Sequence, residues 1–158
     1  MLSVLVIAMA TTSPTPHQSA AADSAVINNS GSTNTAPYTI TVRPDGTARV
    51  EISPGHKETK KLADATTAAF FKDLHAALPL GELETAPCMK SASFGTRTTV
   101  RYRGATSPDL SCAMDERGKR LAADVAKIAQ ELQIFSLRRY DGLRNTHMIA
   151  QPSPTPPK

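Results

Sequence analysis

Two stretches of the chain follow one plan, a pair of alternating strand patterns and then an amphipathic helix pattern. The first runs from Tyr38 to Leu78 and the second from Phe94 to Leu132. A ββαββα order predicts a two-layer α+β domain, a four-stranded antiparallel sheet with two helices on one face. The opposite sheet face is then left to solvent or to a partner.

The first unit opens with Tyr38-Thr39-Ile40-Thr41-Val42-Arg43, in which Tyr38, Ile40 and Val42 share one side. Pro44-Asp45-Gly46 reads as a turn, because Pro presets one dihedral, Asp caps its own backbone and Gly permits positive φ. The return strand, Thr47 to Ile52, places Ala48, Val50 and Ile52 inward. Ser53-Pro54-Gly55-His56 breaks that strand. Asp64 or Thr66 can cap a helix whose inner stripe is Phe70, Leu74, Ala77 and Leu78, and Pro79 stops it.

In the second unit Phe94, Thr96, Thr98, Val100 and Tyr102 share one face, and Arg97, Thr99, Arg101 and Arg103 the other. Gly104 to Pro108 reads as a longer turn, and Leu110, Cys112 and Met114 alternate inward on a fourth strand. Asp115 caps a helix with Leu121, Val125, Ile128 and Leu132 along one stripe. The domain is thus expected over residues 37–136. Residues 11–36, rich in Ser, Thr, Ala, Asn and Pro, read as a flexible leader. Residues 137–158, basic and then Pro-rich, read as a flexible tail.

Met1 to Ala10 is a short apolar run ending in Ala-x-Ala, the pattern of a signal peptide with cleavage near Thr11. No basic residue precedes the run, so either the start codon lies too far downstream or the segment is only a hydrophobic N-terminus. It is far shorter than the ~20 residues that cross a bilayer, so no transmembrane segment is expected. The two cysteines, Cys88 and Cys112, form an even count that suits one disulfide in an exported chain. Secretion or a periplasmic location is therefore expected.

The alternating strand Tyr38 to Val42, its Pro44-Asp45-Gly46 turn, the helix and the second hairpin resemble small exported bacterial domains of unknown function. The resemblance spans about Tyr38 to Leu132. It implies an envelope or secreted module and carries no catalytic residues with it.

The chemistry-bearing residues are sparse. The four histidines are His17, His56, His75 and His147. None stands in a Gly-x-Ser-x-Gly or His-Glu-x-x-His context, and no Gly-rich phosphate loop occurs. The expectation is a non-catalytic monomer with no metal and no cofactor, a small hydrolase being one alternative. Arg43, Arg49, Arg97, Arg101 and Arg103 fall on the outer sheet face, where they could meet an anionic envelope component or an acidic protein partner. The formal charge is +4 and aromatic content 4%. Without an exposed aromatic ladder, nucleic acid is not an expected partner.

The other alternative is a substrate-like serine protease inhibitor. Ala86-Pro87-Cys88-Met89-Lys90-Ser91 places Met89, Lys90 and Ser91 beside a tethering cysteine. Secreted inhibitors of subtilisin-like proteases are similar in using a Cys just before the reactive bond. Here that makes Lys90-Ser91 the scissile pair and trypsin-like proteases the targets.

Overall fold

A computed structural model describes residues 23–53, 55–93 and 95–134. The signal-like segment at 1–10, residues 11–22 of the expected leader, Phe94 and the tail from 137 lie outside those residues. The domain is α+β with two helices, and its antiparallel sheet has six strands where four were expected. In chain order the strands are β1 Ala25–Asn29, β2 Tyr38–Val42, β3 Thr47–Ile52, β4 His56–Lys61, β5 Thr98–Tyr102 and β6 Ala105–Thr106. The helices are α1 Asp64–Ala76, between β4 and β5, and α2 Glu116–Glu131, after β6. The strands lie in the order β4-β3-β2-β1-β5-β6.

The first correction concerns β1, which falls within the segment expected to be a leader. It pairs with β2 on one side and β5 on the other. The two hairpins foreseen in the sequence are therefore not neighbours, since β1 is inserted between them. Ala25, Ile27 and Asn29 face the core, while Val26 and Asn28 face out. Alternation was present, but three apolar residues followed by Asn28 and Asn29 read as loop on composition.

The second correction concerns β4, His-Lys-Glu-Thr-Lys-Lys, which has no apolar residue at all. It is an edge strand, and its inward row is charged: His56, Glu58 and Lys60 stand opposite Ile52, Val50 and Ala48. Lys60 Nζ lies 2.8 Å from Glu58 and donates to the Leu132 carbonyl at 3.0 Å. Inward charge on an edge is a recognised defence against edge-to-edge aggregation.

The third correction is the expected fourth strand. Leu110–Cys112 is a turn of 3₁₀ helix; among the described residues the only strand after β5 is the two-residue β6, and Ala113 makes just an isolated bridge with Thr85. Leu110 is buried, but Met114 is exposed and Cys112 half-buried, so the inward alternation does not occur. The cause is local. Pro108 has no N–H to give a ladder. Asp109 caps the 3₁₀ turn by accepting from the Ser111 N–H, drawing the backbone out of the sheet.

Both helices pack on one sheet face around a single core. Phe70, Leu74 and Ala77 come from α1 and its cap, and Leu121, Val125, Ile128 and Leu132 from α2 and its cap, as their spacing predicts. They meet Ile27, Ile40, Val42, Val50, Ile52, Val100 and Tyr102. Asp115 caps α2 by accepting from the Gly118 N–H at 2.6 Å. At α1 neither Asp64 nor Thr66 serves; the N-cap is Ala63, whose N–H donates to Glu131 Oε1 at 2.5 Å.

The central position of β1 has a measurable consequence. Ile27→Ala should cost about 2–5 kcal/mol, as expected of a fully buried branched side chain. The neighbouring, outward Asn28→Ala should change stability by less than about 0.5 kcal/mol. Urea unfolding midpoints of the two variants check the pair.

Candidate functional site

Two surfaces merit construction from their residues: the open face of the sheet and the loop after Cys88. Strand register fixes the first. Lys57, Glu51, Thr39, Asn28 and Thr99 form one row across the strands; Thr59, Arg49, Thr41, Val26, Arg101 and Thr106 form the next. Neither helix covers this face. Within the described strands it displays Arg49, Lys57, Lys61 and Arg101 as cations and Glu51 as the one carboxylate, among threonines.

The five arginines foreseen for this face do not converge. Arg49 and Arg101 share a row but stand three strands apart, roughly 14 Å at the usual strand spacing. Arg49 also pairs with Glu51 at 2.9 Å. Among the described residues no carboxylate pairs with Arg101. Arg43 is exposed just after β2. Arg97 precedes β5, with its Nε 3.9 Å from Asp109. Arg103 leaves the face: it sits in the β5–β6 turn at φ 48°, pairs with Asp23 at 2.7 Å and lays its guanidinium 5.0 Å from the Tyr102 ring centre. The sequence reading missed Lys57 and Lys61, which β4 adds to the same face. The available signal was Gly55, at φ 102°, a tight reversal directly after β3.

Beside Arg103 a groove of about 460 Å³ runs between α1 and the sheet end, lined in part by Asp23, Asp45, Phe71 and His75. His75 is exposed, and its Nε2 lies 3.1 Å from the Tyr102 hydroxyl. Arg103 already occupies the ring and one carboxylate there.

The second surface is built on Asp109. Cys88 and Cys112 are joined as a disulfide, with Cα atoms 5.8 Å apart and a sequence separation of 24. This tethers the loop to the 3₁₀ turn that Asp109 caps. Lys90 reaches back under the loop, pairing with Asp109 and donating to the Thr96 carbonyl at 2.5 Å and Ser111 Oγ at 2.7 Å. Further along, the Ala92 and Ser93 carbonyls accept from the Thr33 and Asn34 N–H groups at 3.4 and 3.0 Å. The loop is thus held at Cys88, at Lys90 and at Ser93. Met89, between the first two anchors, is fully exposed at 105% of its reference area.

The Asp109 carboxylate organises this seat. Burial raises its pKa, but hydrogen bonds from Lys90, Ser111 and the Thr98 N–H together outweigh burial and hold it below the usual 3.8. Ser111 Oγ donates to Asp109 at 2.5 Å. This Ser-Asp-Lys cluster is not a histidine-based triad: the lysine serves as a cation to Asp109, whereas a serine–lysine dyad uses it as a neutral base. Among the described residues no three His, Cys, Asp or Glu side chains come together to hold a metal ion. Nor is any described helix long and apolar enough to cross a membrane.

No family model matches the chain, and no curated protein matches it.

Replacing Asp109 by Asn should cost about 1.5–3 kcal/mol at neutral pH, the range for hydrogen bonds to a charged group. A carboxyl whose folded pKa lies below its unfolded 3.8 stabilises above that value and loses its contribution as pH falls through the folded value. The stability gap between wild type and Asp109→Asn should therefore be full at pH 5–8 and close below about pH 3.8. Thermal unfolding across that range measures it.

Proposed function

We propose that this protein is a non-catalytic binding module of the cell envelope or the extracellular space, and that its uncovered sheet face meets an anionic component there. The observation that carries the reading is the charge on that face: Arg49, Lys57, Lys61 and Arg101 against Glu51, on a sheet whose other side is filled by both helices. Threonines between the cations supply hydroxyl donors and stiff, pre-ordered side chains. The spacing of the cations favours an extended, repeating anion over a small compact one, because roughly 14 Å separates Arg49 from Arg101.

The Cys88–Cys112 bridge supports an oxidising compartment as the place of action. It agrees with the signal-like residues 1–10 and with the resemblance to exported domains, and a monomer suffices for such a surface.

Anionic vesicles containing phosphatidylglycerol provide the test. Each basic residue near such a surface contributes about 1 kcal/mol, so the triple variant Arg49→Gln, Lys57→Gln, Arg101→Gln should bind roughly a hundredfold more weakly. Binding of wild type should also fall steeply with salt. Equal partitioning of wild type and variant in a co-sedimentation assay would contradict the reading.

A further inference from the structure

The loop after Cys88 presents a second surface, independent of the sheet face. A side chain standing fully clear of the protein is ordinary on a mobile loop, and here the loop is not loose. Its N-terminal flank is tied through Cys88 to Cys112, its middle through Lys90 to Asp109, Thr96 and Ser111, and its C-terminal flank through Ala92 and Ser93 to the Ser32–Thr35 turn. Ser32 Oγ adds a bond to the Ser93 carbonyl at 2.8 Å. Gly95 closes the base so tightly that a Cβ there would meet Lys90 Cβ and the Ser91 carbonyl oxygen at 2.5 Å each. A large apolar side chain is thus held outward on a pre-ordered support, which removes much of the ordering cost of binding.

We propose that this loop is a substrate-like protease-inhibitory loop whose presented bond is Met89–Lys90, directed at serine proteases with an apolar primary pocket. The assignment follows from which side chain is free. Lys90 spends its ammonium on three internal acceptors and cannot enter a partner's pocket without leaving them. Met89 is unbranched and flexible, and it is exposed at 105%. The same anchors account for inhibition in place of digestion. If a protease adds water across Met89–Lys90, the new Met89 carboxylate stays next to the Cys88–Cys112 bridge, and Lys90, with its new α-amine, stays tethered through its side-chain ammonium to Asp109, Thr96 and Ser111. Both ends are retained in place, so release of product is slow and the bond can re-form.

The full oxidised chain is titrated against subtilisin, chymotrypsin and trypsin. Expected is near-stoichiometric inhibition of subtilisin or chymotrypsin, weakened at least about a hundredfold by Met89→Gly, the size of a hot-spot loss. Met89→Lys should transfer inhibition to trypsin. Gly95→Ala, which must displace Lys90 or Ser91, should turn the inhibitor into a cleaved substrate. Absence of inhibition by wild type, or rapid cleavage at Met89–Lys90, would overturn the proposal. So would trypsin-only inhibition that Lys90→Ala abolishes, which would assign the reactive bond to Lys90–Ser91. None of these outcomes bears on vesicle binding, so the two surfaces are tested separately.

Discussion

The structure depends on the insertion of one short strand between two halves that could not otherwise meet. Residues Ala25 to Asn29 pair on one edge with Tyr38–Val42 and on the other with Thr98–Tyr102, so a single five-residue segment bonds both halves of the sheet. Ile27 lies opposite Ile40 and Val100 and is completely buried. Without that strand each half would end in an unpaired edge, and the two helices would have no common face to cover.

The same strand also positions both candidate surfaces. Outward, Val26 completes the row that carries Arg101 across to Arg49, and Asn28 the row that runs from Thr99 to Lys57. At its end, buried Asn29 donates to Thr96 and Thr98 at 3.1 and 3.0 Å and accepts from the Gly31 N–H at 3.1 Å. Gly31 sits at φ 65°, where a Cβ would meet the Thr35 carbonyl oxygen at 2.5 Å; only glycine fits that turn. The turn then supplies the donors that hold Ala92 and Ser93. A buried polar side chain thus links the sheet to the floor of the exposed loop, and its hydrogen bonds offset the cost of its burial.

Much of the fold was legible where periodicity and burial agreed. The inward residues of Tyr38–Val42 and Thr47–Ile52, the stripes of both helices, the Asp115 cap and the partnership of Cys88 with Cys112 follow from spacing and side-chain chemistry. What failed were segments whose pairing, not their composition, decides their state. Ala25–Asn29 is too short and too rich in Asn to announce a strand, and His56–Lys61 is wholly polar because it lies on an edge. Conversely, Leu110-Ser111-Cys112 alternates like a strand, yet Pro108 and the Asp109 side chain withdraw it from the ladder. For the surfaces, sequence parity placed Arg49 and Arg101 on the outer face. It could not show that Arg103 turns away to Asp23 or that Lys90 folds back on Asp109, since both contacts join residues distant in sequence.

The most direct test of the account is native-state hydrogen exchange of the Ala25–Asn29 amides. If this strand joins the two halves, the Ile27 amide should exchange only through global unfolding, with protection equal to that of Val100 and Ile40. Exchange of Ile27 at the rate of an unstructured peptide, while Ile40 stayed protected, would contradict it.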